Sequence, residues 1–137
     1  MALTLTYSQA DGTLTNDEGN VIANGWAGHG QGKNNPFMEN VHNIGPLPRG
    51  LYRVGPWGCG DPTKPDYVKG YPKNLGPLIA SLTQIEGETY GRSDFFIHGP
   101  DRDPAHYGQE SRGCTVVPRP QREVVHNLAP DFIRVVA

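Results

Sequence analysis

The sequence is poor in cysteine and in charge: two cysteines, Cys59 and Cys114, and 19% Asp, Glu, Lys and Arg in 137 residues. Two thiols cannot build the disulfide framework of a small secreted domain. They either pair with each other or stay free, and without an export signal there is little support for a bridge. The charges nearly cancel, to −2 with a pI near 6.2, and no run of like sign occurs, so the electrostatic footprint of a nucleic-acid binder is missing. No apolar stretch approaches the ~20 residues of a membrane-spanning helix, and no membrane insertion is expected. Positive charge is absent from the start, Lys33 being the first basic residue, so a chain made in the cytoplasm without a signal peptide is expected. Metal-ligand spacings are also lacking. His29, His42, His106 and His126, even with Cys59, form no His-Glu-x-x-His or Cys-x-x-Cys pattern, and neither a metal nor a cofactor is expected. The glycine-rich stretch Gly25–Pro36 is no phosphate loop, because Ala27 and Asn34 stand where Gly and Ser/Thr are needed.

Glycine and proline are plentiful, at 18 and 13, against 36% hydrophobic residues. That mixture suits a mainly β chain with many turns, and the length suits one domain over residues 1–137. Leu3, Leu5 and Tyr7 alternate with Thr4, Thr6 and Ser8, the period of a half-buried strand, and Asp11-Gly12 turns into Thr13-Leu14-Thr15. Further strands are expected at Val21–Ala23, Leu51–Val54, Leu78–Ile85, Phe95–Ile97, Cys114–Val117 and Phe132–Val136. Gly25–Pro36 reads as a structured loop and Gly55–Gly76, with its four prolines, as a long surface excursion. One helix is expected, opened by Pro120, carried by Glu123, Val124, Val125 and Leu128, and closed before Pro130.

The chemistry gathers at two points. His98 ends the apolar run Phe95-Phe96-Ile97, and Cys114 follows sixteen positions later in Ser111-Arg112-Gly113-Cys114-Thr115. A thiol with an ordinary pKa near 8.5 is only a few per cent thiolate at neutral pH, and a neighbouring imidazole that takes its proton corrects this. Gly113 lets the chain curve so that backbone N–H groups can face an oxyanion. Ser111 can fix that turn, and Arg112 can lower the thiol pKa, bind a substrate carboxylate, or do both. Asp94, Asp101, Asp103 and Tyr107 flank the pair and are candidates to orient His98, though loop solvation explains them as well. The plainer reading makes Cys114 a small buried hydrophobe and His98 a strand cap.

The segment from Phe95 to Val116 resembles the signature of the L,D-transpeptidase catalytic domain of YkuD type, in which His-Gly on one strand precedes Ser/Thr-His-Gly-Cys. His98-Gly99 and Ser111, Gly113 and Cys114 carry the match, while Arg112 stands in the place of a histidine. That substitution is similar to the type VI secretion branch of L,D-transpeptidase effectors. So are Gly28–Pro36, Gly45-Pro46-Leu47-Pro48-Arg49-Gly50-Leu51-Tyr52 and Phe95–Gly99.

The resemblance implies a single-domain β-sandwich or partly open barrel with one short helix near the C-terminus. It implies Cys114 as nucleophile, His98 as general base and Gly113 in the oxyanion site, with Arg112, Ser111, Gly99 and Tyr107 as substrate-binding candidates. Lys33 and Arg49 are weaker candidates to hold a stem carboxylate. The implied substrate is a peptidoglycan tetrapeptide stem, handled by a monomer as an L,D-carboxypeptidase or transpeptidase. The implied setting is secretion into the periplasm of a target bacterium, with a secretion apparatus and a periplasmic immunity protein as partners. Two other readings stay open: a papain-like endopeptidase built on Cys59, and a non-catalytic wall-binding or tail-associated module presenting Trp26, Trp57, Tyr67 and Tyr71.

Overall fold

A computed structural model describes residues 2–100 and 113–137. Among these residues nine strands form one sheet: β1 (Thr4–Ser8), β2 (Thr13–Thr15), β3 (Val21–Asn24), β4 (Trp26–Ala27), β5 (Gly50–Gly58), β6 (Ile79–Gly87), β7 (Phe95–His98), β8 (Thr115–Val116) and β9 (Phe132–Val136). Their order across the sheet is β3-β2-β1-β9-β5-β6-β7-β8-β4. The two end strands, β3 and β4, are separated in the chain by Gly25 alone. The sheet therefore curls until its first and last strands are neighbours, a nearly closed barrel in which edge exposure is limited. Gly25 sits at the closure because any side chain there would strike the carbonyl of Val116.

Among the described residues the chain adopts the expected mainly β architecture with one α-helix. Leu5, Tyr7, Leu14, Tyr52, Leu82, Phe95, Ile97, Val125, Ile133 and Val135 all pack into one interior cluster, each the inward residue of its element. Helix α1 (Arg119–Leu128) begins with Pro120 in its first turn and ends at Ala129 in the left-handed region. It packs on β3 and sends Val125 and Arg122 inward.

Two expectations change. Strand β5 does not end at Val54 but runs on to Gly58, passing Gly55 and Pro56 through an irregularity in its pairing with β6. A bulge tolerates proline where a regular ladder does not. The rest of the excursion folds back rather than standing off. Cys59 bridges to Tyr67, and the Tyr71 hydroxyl bonds Pro56 O at 2.5 Å and accepts from Ser81 N at 3.1 Å. The second change lies in the glycine-rich loop, which contains β4 and a short 3₁₀ turn at Gly30–Gly32, with a second turn starting at its last residue, Pro36. Among the described residues no helix is long and apolar enough to cross a membrane.

Candidate active site

Two strands carry the histidine and lead into the cysteine. Strands β7 and β8 pair in parallel, with Ile97 beside Thr115 and His98 beside Val116. Extending that register one step places Cys114 alongside Phe96, and the contact is present: the Phe96 N–H points at Cys114 Sγ, 3.3 Å away. The thiol is thus two residue steps along the ladder from His98, a spacing of about 7 Å along the strand direction. Strand alternation sorts the faces. Phe95 and Ile97 enter the core, whereas Phe96 and His98 point to the other side. On that side Tyr71 meets Phe96 edge to face at 5.2 Å, so the returned excursion forms a wall beside the thiol. Strand β4 extends the row, because Trp26 pairs with Val116.

His98 is 4% exposed, and its Nδ1 lies 2.8 Å from the Gly99 carbonyl oxygen. A carbonyl only accepts, so Nδ1 carries the proton, and in the neutral ring Nε2 is left as the basic nitrogen. Gly99 therefore has a task beyond small size: its carbonyl sets the tautomer. Its own space is taken by Arg122, into whose guanidinium any side chain at 99 would run. Arg122 is buried, donating to Leu78 O at 2.8 Å, Val117 O at 2.6 Å and Pro77 O at 3.3 Å. Burial brings its pKa down to about 10, with Arg119 nearby acting in the same direction.

The cysteine half has a matching support. Arg92, 6% exposed, donates to the carbonyls of Glu39, Pro46 (2.8 Å) and Gly45 (2.9 Å), and lies over the Phe95 ring at 5.5 Å. Gly113, at φ +131°, has the Arg92 Nη2 only 2.5 Å from where a Cβ would sit. Cys114 itself is half-buried. Burial pushes its thiol up to about 11, against the opposing pull of the Phe96 N–H and of Arg92. Asp94 adds to the rise, and its carbonyl, 3.6 Å from Sγ, accepts from the S–H. The resting group is a thiol.

Next to Arg92 lies a cavity of about 420 Å³ lined by Pro36, Phe37, Glu39, Asn40, Arg49, Tyr90 and Ala137. Glu39 joins the two features: its main-chain oxygen receives Arg92, and its carboxylate receives Arg49 Nη2 at 2.5 Å and Gln9 Nε2 at 3.1 Å. Burial alone would raise the Glu39 carboxyl, but these bonds and the Arg49 charge bring it below the usual range.

Cys114, His98, Gly113, Gly99 and Asp94 fall on one region. Arg112, Ser111, Tyr107, Asp101, Asp103 and His106 lie outside the described residues. Lys33 holds its ammonium 5.1 Å from the Trp26 ring centre, on the β4 side, while Arg49 is committed to Glu39. Cys59 is a free, buried thiol at the end of β5 with Sγ 3.4 Å from Asp66 Oδ1, and no helix begins there. Trp57 packs against His126 at 5.4 Å. The sequence reading missed Arg92 and Arg122. Arg122 is three residues before the buried Val125, so it shares that residue's helical face, a signal that was available.

No family model and no curated protein matches the sequence. Solved structures do. The chain superposes on L,D-transpeptidase 3 of Mycobacterium tuberculosis, solved in complex with a faropenem-derived adduct, with a TM-score of 0.54 at 16% identity over 99% of its length. It superposes on another L,D-transpeptidase of M. tuberculosis H37Rv with a TM-score of 0.53 at 17% identity, again over 99%. The fold is L,D-transpeptidase-like. The chain spans 60% and 58% of the lengths of those two proteins, so the L,D-transpeptidase-like fold here is matched to a part of each.

Proposed function

We propose that this chain is a cysteine enzyme acting on peptidoglycan tetrapeptide stems. The observation that carries the reading is the parallel register of β7 and β8, which sets the Cys114 sulfur beside Phe96, two steps from a histidine whose Nδ1 proton is held by Gly99 O. The L,D-transpeptidase-like fold supports the choice of substrate. In the first half-reaction the thiol proton passes to His98 Nε2 as the sulfur bonds to the carbonyl carbon of the third residue of the stem. Backbone N–H groups near Gly113 receive the oxyanion. The C–N bond to the terminal D-alanine then breaks, and the leaving amine takes the proton back from the imidazolium. Water attack on the thioester releases the tripeptide carboxylate and restores the thiol. An amine acceptor gives exchange or a cross-link instead.

Because burial keeps the resting group a thiol, deprotonation accompanies attack rather than preceding it. Arg112, Ser111, Gly99 and Tyr107 are the proposed substrate contacts. The setting proposed is delivery into the periplasm of a neighbouring bacterium by a contact-dependent secretion apparatus, with a periplasmic immunity protein in the producer.

The test is mass spectrometry of tetrapeptide muropeptides incubated with the native protein, with and without a free D-amino acid. Loss of one alanine, or its replacement, is expected, and Cys114→Ala and His98→Ala should abolish both while folding. Exposure to faropenem should add one covalent adduct to the native chain and none to Cys114→Ala. Unchanged muropeptides together with an unmodified chain would defeat the reading.

A further inference from the structure

We propose that Arg92 is a positioning residue of the Cys114 half-site, one that holds the Gly113 turn in place and lends positive potential to the sulfur. This rests on Cys114 being the nucleophile of the reaction above. Three observations carry it. The guanidinium occupies the space beneath Gly113 that a side chain would fill, 2.5 Å from the built Cβ position to Nη2. It is fixed there by carbonyls of Glu39, Gly45 and Pro46, which belong to a segment distant in sequence, so its position does not depend on the flexibility of its own side chain. It also lies over Phe95, the residue before the Phe96 whose N–H contacts Sγ.

Burying a guanidinium is costly unless its donors are used, and here the donors brace the 39–46 segment against the turn that presents the cysteine. The charge then acts past the buried Phe95, where screening is weaker than in open solvent. Among the described residues, the charged groups facing the sulfur are Arg92, which favours thiolate, and Asp94, which opposes it. The coupling is mutual, since Cys114 in turn acts on the Arg92 guanidinium. As the thiolate forms during attack, a fixed cation stabilises the charge that develops and needs no reorganisation to do so.

The test compares Arg92→Met and Arg92→Lys in a Cys59→Ala background, with alkylation of Cys114 by iodoacetamide followed between pH 7.5 and 9.5 and circular dichroism as the folding control. Below the thiol pKa a shift of about one unit, the lower end for an opposite charge at close range, lowers the thiolate fraction about tenfold, and the greater nucleophilicity of the more basic thiolate returns about threefold, so the rate should change roughly threefold. Arg92→Met is expected to react about threefold more slowly at every pH with an unchanged slope, and Arg92→Lys at close to the native rate. A folded Arg92→Met that reacts at the native rate overturns the proposal, as does an Arg92→Lys that falls as far as Arg92→Met. If Arg92→Met does not fold, Arg92→Lys decides: a near-native rate supports the charge, and a loss of about threefold refutes it. Native protein that leaves muropeptides untouched while these rates shift would sink the enzymatic reading alone. Native trimming with unshifted rates would sink the role of Arg92 alone.

Discussion

The protonation state of Cys114 offers the sharpest check on the site. Burial pushes the thiol up to about 11, whereas a free cysteine sits near 8.5, a gap of about 2.5 units or roughly 3 kcal/mol against the thiolate. At pH 7 the thiolate fraction falls from a few per cent to about one in ten thousand, some 300-fold. A more basic thiolate is also a better nucleophile, and at a Brønsted slope near 0.4–0.5 this returns about tenfold. Iodoacetamide should therefore modify Cys114 about 30-fold more slowly than an unstructured thiol at pH 7, measured by intact mass in a Cys59→Ala background. The logarithm of the rate should climb with unit slope to beyond pH 9.5. A second observable follows by linkage. A pKa raised on folding gives stability that is full below pH 8.5 and is lost as pH rises toward 11. At pH 10 the native chain should have lost about 2 kcal/mol relative to Cys114→Ser, which lacks the thiol. A rate plateau at or below pH 8 would refute the reasoning, because it would mean a thiolate stored in the resting site.

Three further outcomes follow from the packing. Gly99→Ala drives a methyl group into the Arg122 guanidinium, which three carbonyls hold, so urea unfolding should show a loss of about 1–3 kcal/mol and turnover should fall with it. Arg122→Met leaves the carbonyls of Leu78 and Val117 without their donor and should cost about 2–4 kcal/mol by the same measurement. Glu39 has a lowered folded pKa, so its contribution is present above the unfolded value near 4.3 and is lost as pH falls through the folded one. The melting temperature of the native chain should drop between about pH 5 and 3, and Glu39→Gln should flatten that part of the curve.

What the sequence made readable depended on periodicity and on residue type. The alternation in Leu3–Ser8 is long enough to name β1, and Pro120 with Val125 and Pro130 brackets α1, because these patterns report local geometry directly. Strand β4 has two residues, too few for any period, and exists because barrel closure brings Trp26 and Ala27 against β8. The continuation of β5 was hidden by Pro56, a residue that a regular ladder excludes and a bulge admits. Within the site, Cys114 and His98 stood out because few residue types perform their chemistry. Arg92 and Arg122 did not, since arginine is ordinarily a surface residue and what recruits these two is the space left by Gly113 and Gly99. That complementarity joins positions far apart in the chain, and its one local trace is that Arg122 shares a helical face with the buried Val125.

The parallel pairing of β7 and β8 also accounts for the spacing that made the pair visible. Antiparallel neighbours can be joined by a two-residue turn, and His98 would then be followed closely by its partner strand. Parallel neighbours need a connection of a dozen or more residues, because the chain must return to the starting end of the first strand before entering the second. His98 closes β7 and Cys114 precedes β8, so the histidine must come first and the cysteine must follow after an interval of that order. The sixteen-position separation is thus imposed by strand direction. A shift of one residue in this register would turn the Cys114 side of the ladder toward the core face occupied by Phe95 and Ile97, and the thiol would lose the Phe96 N–H. The buried row of Ala27, Thr115 and Ile97 on the opposite face opposes such a slip, so the packing of the barrel interior holds the site in register.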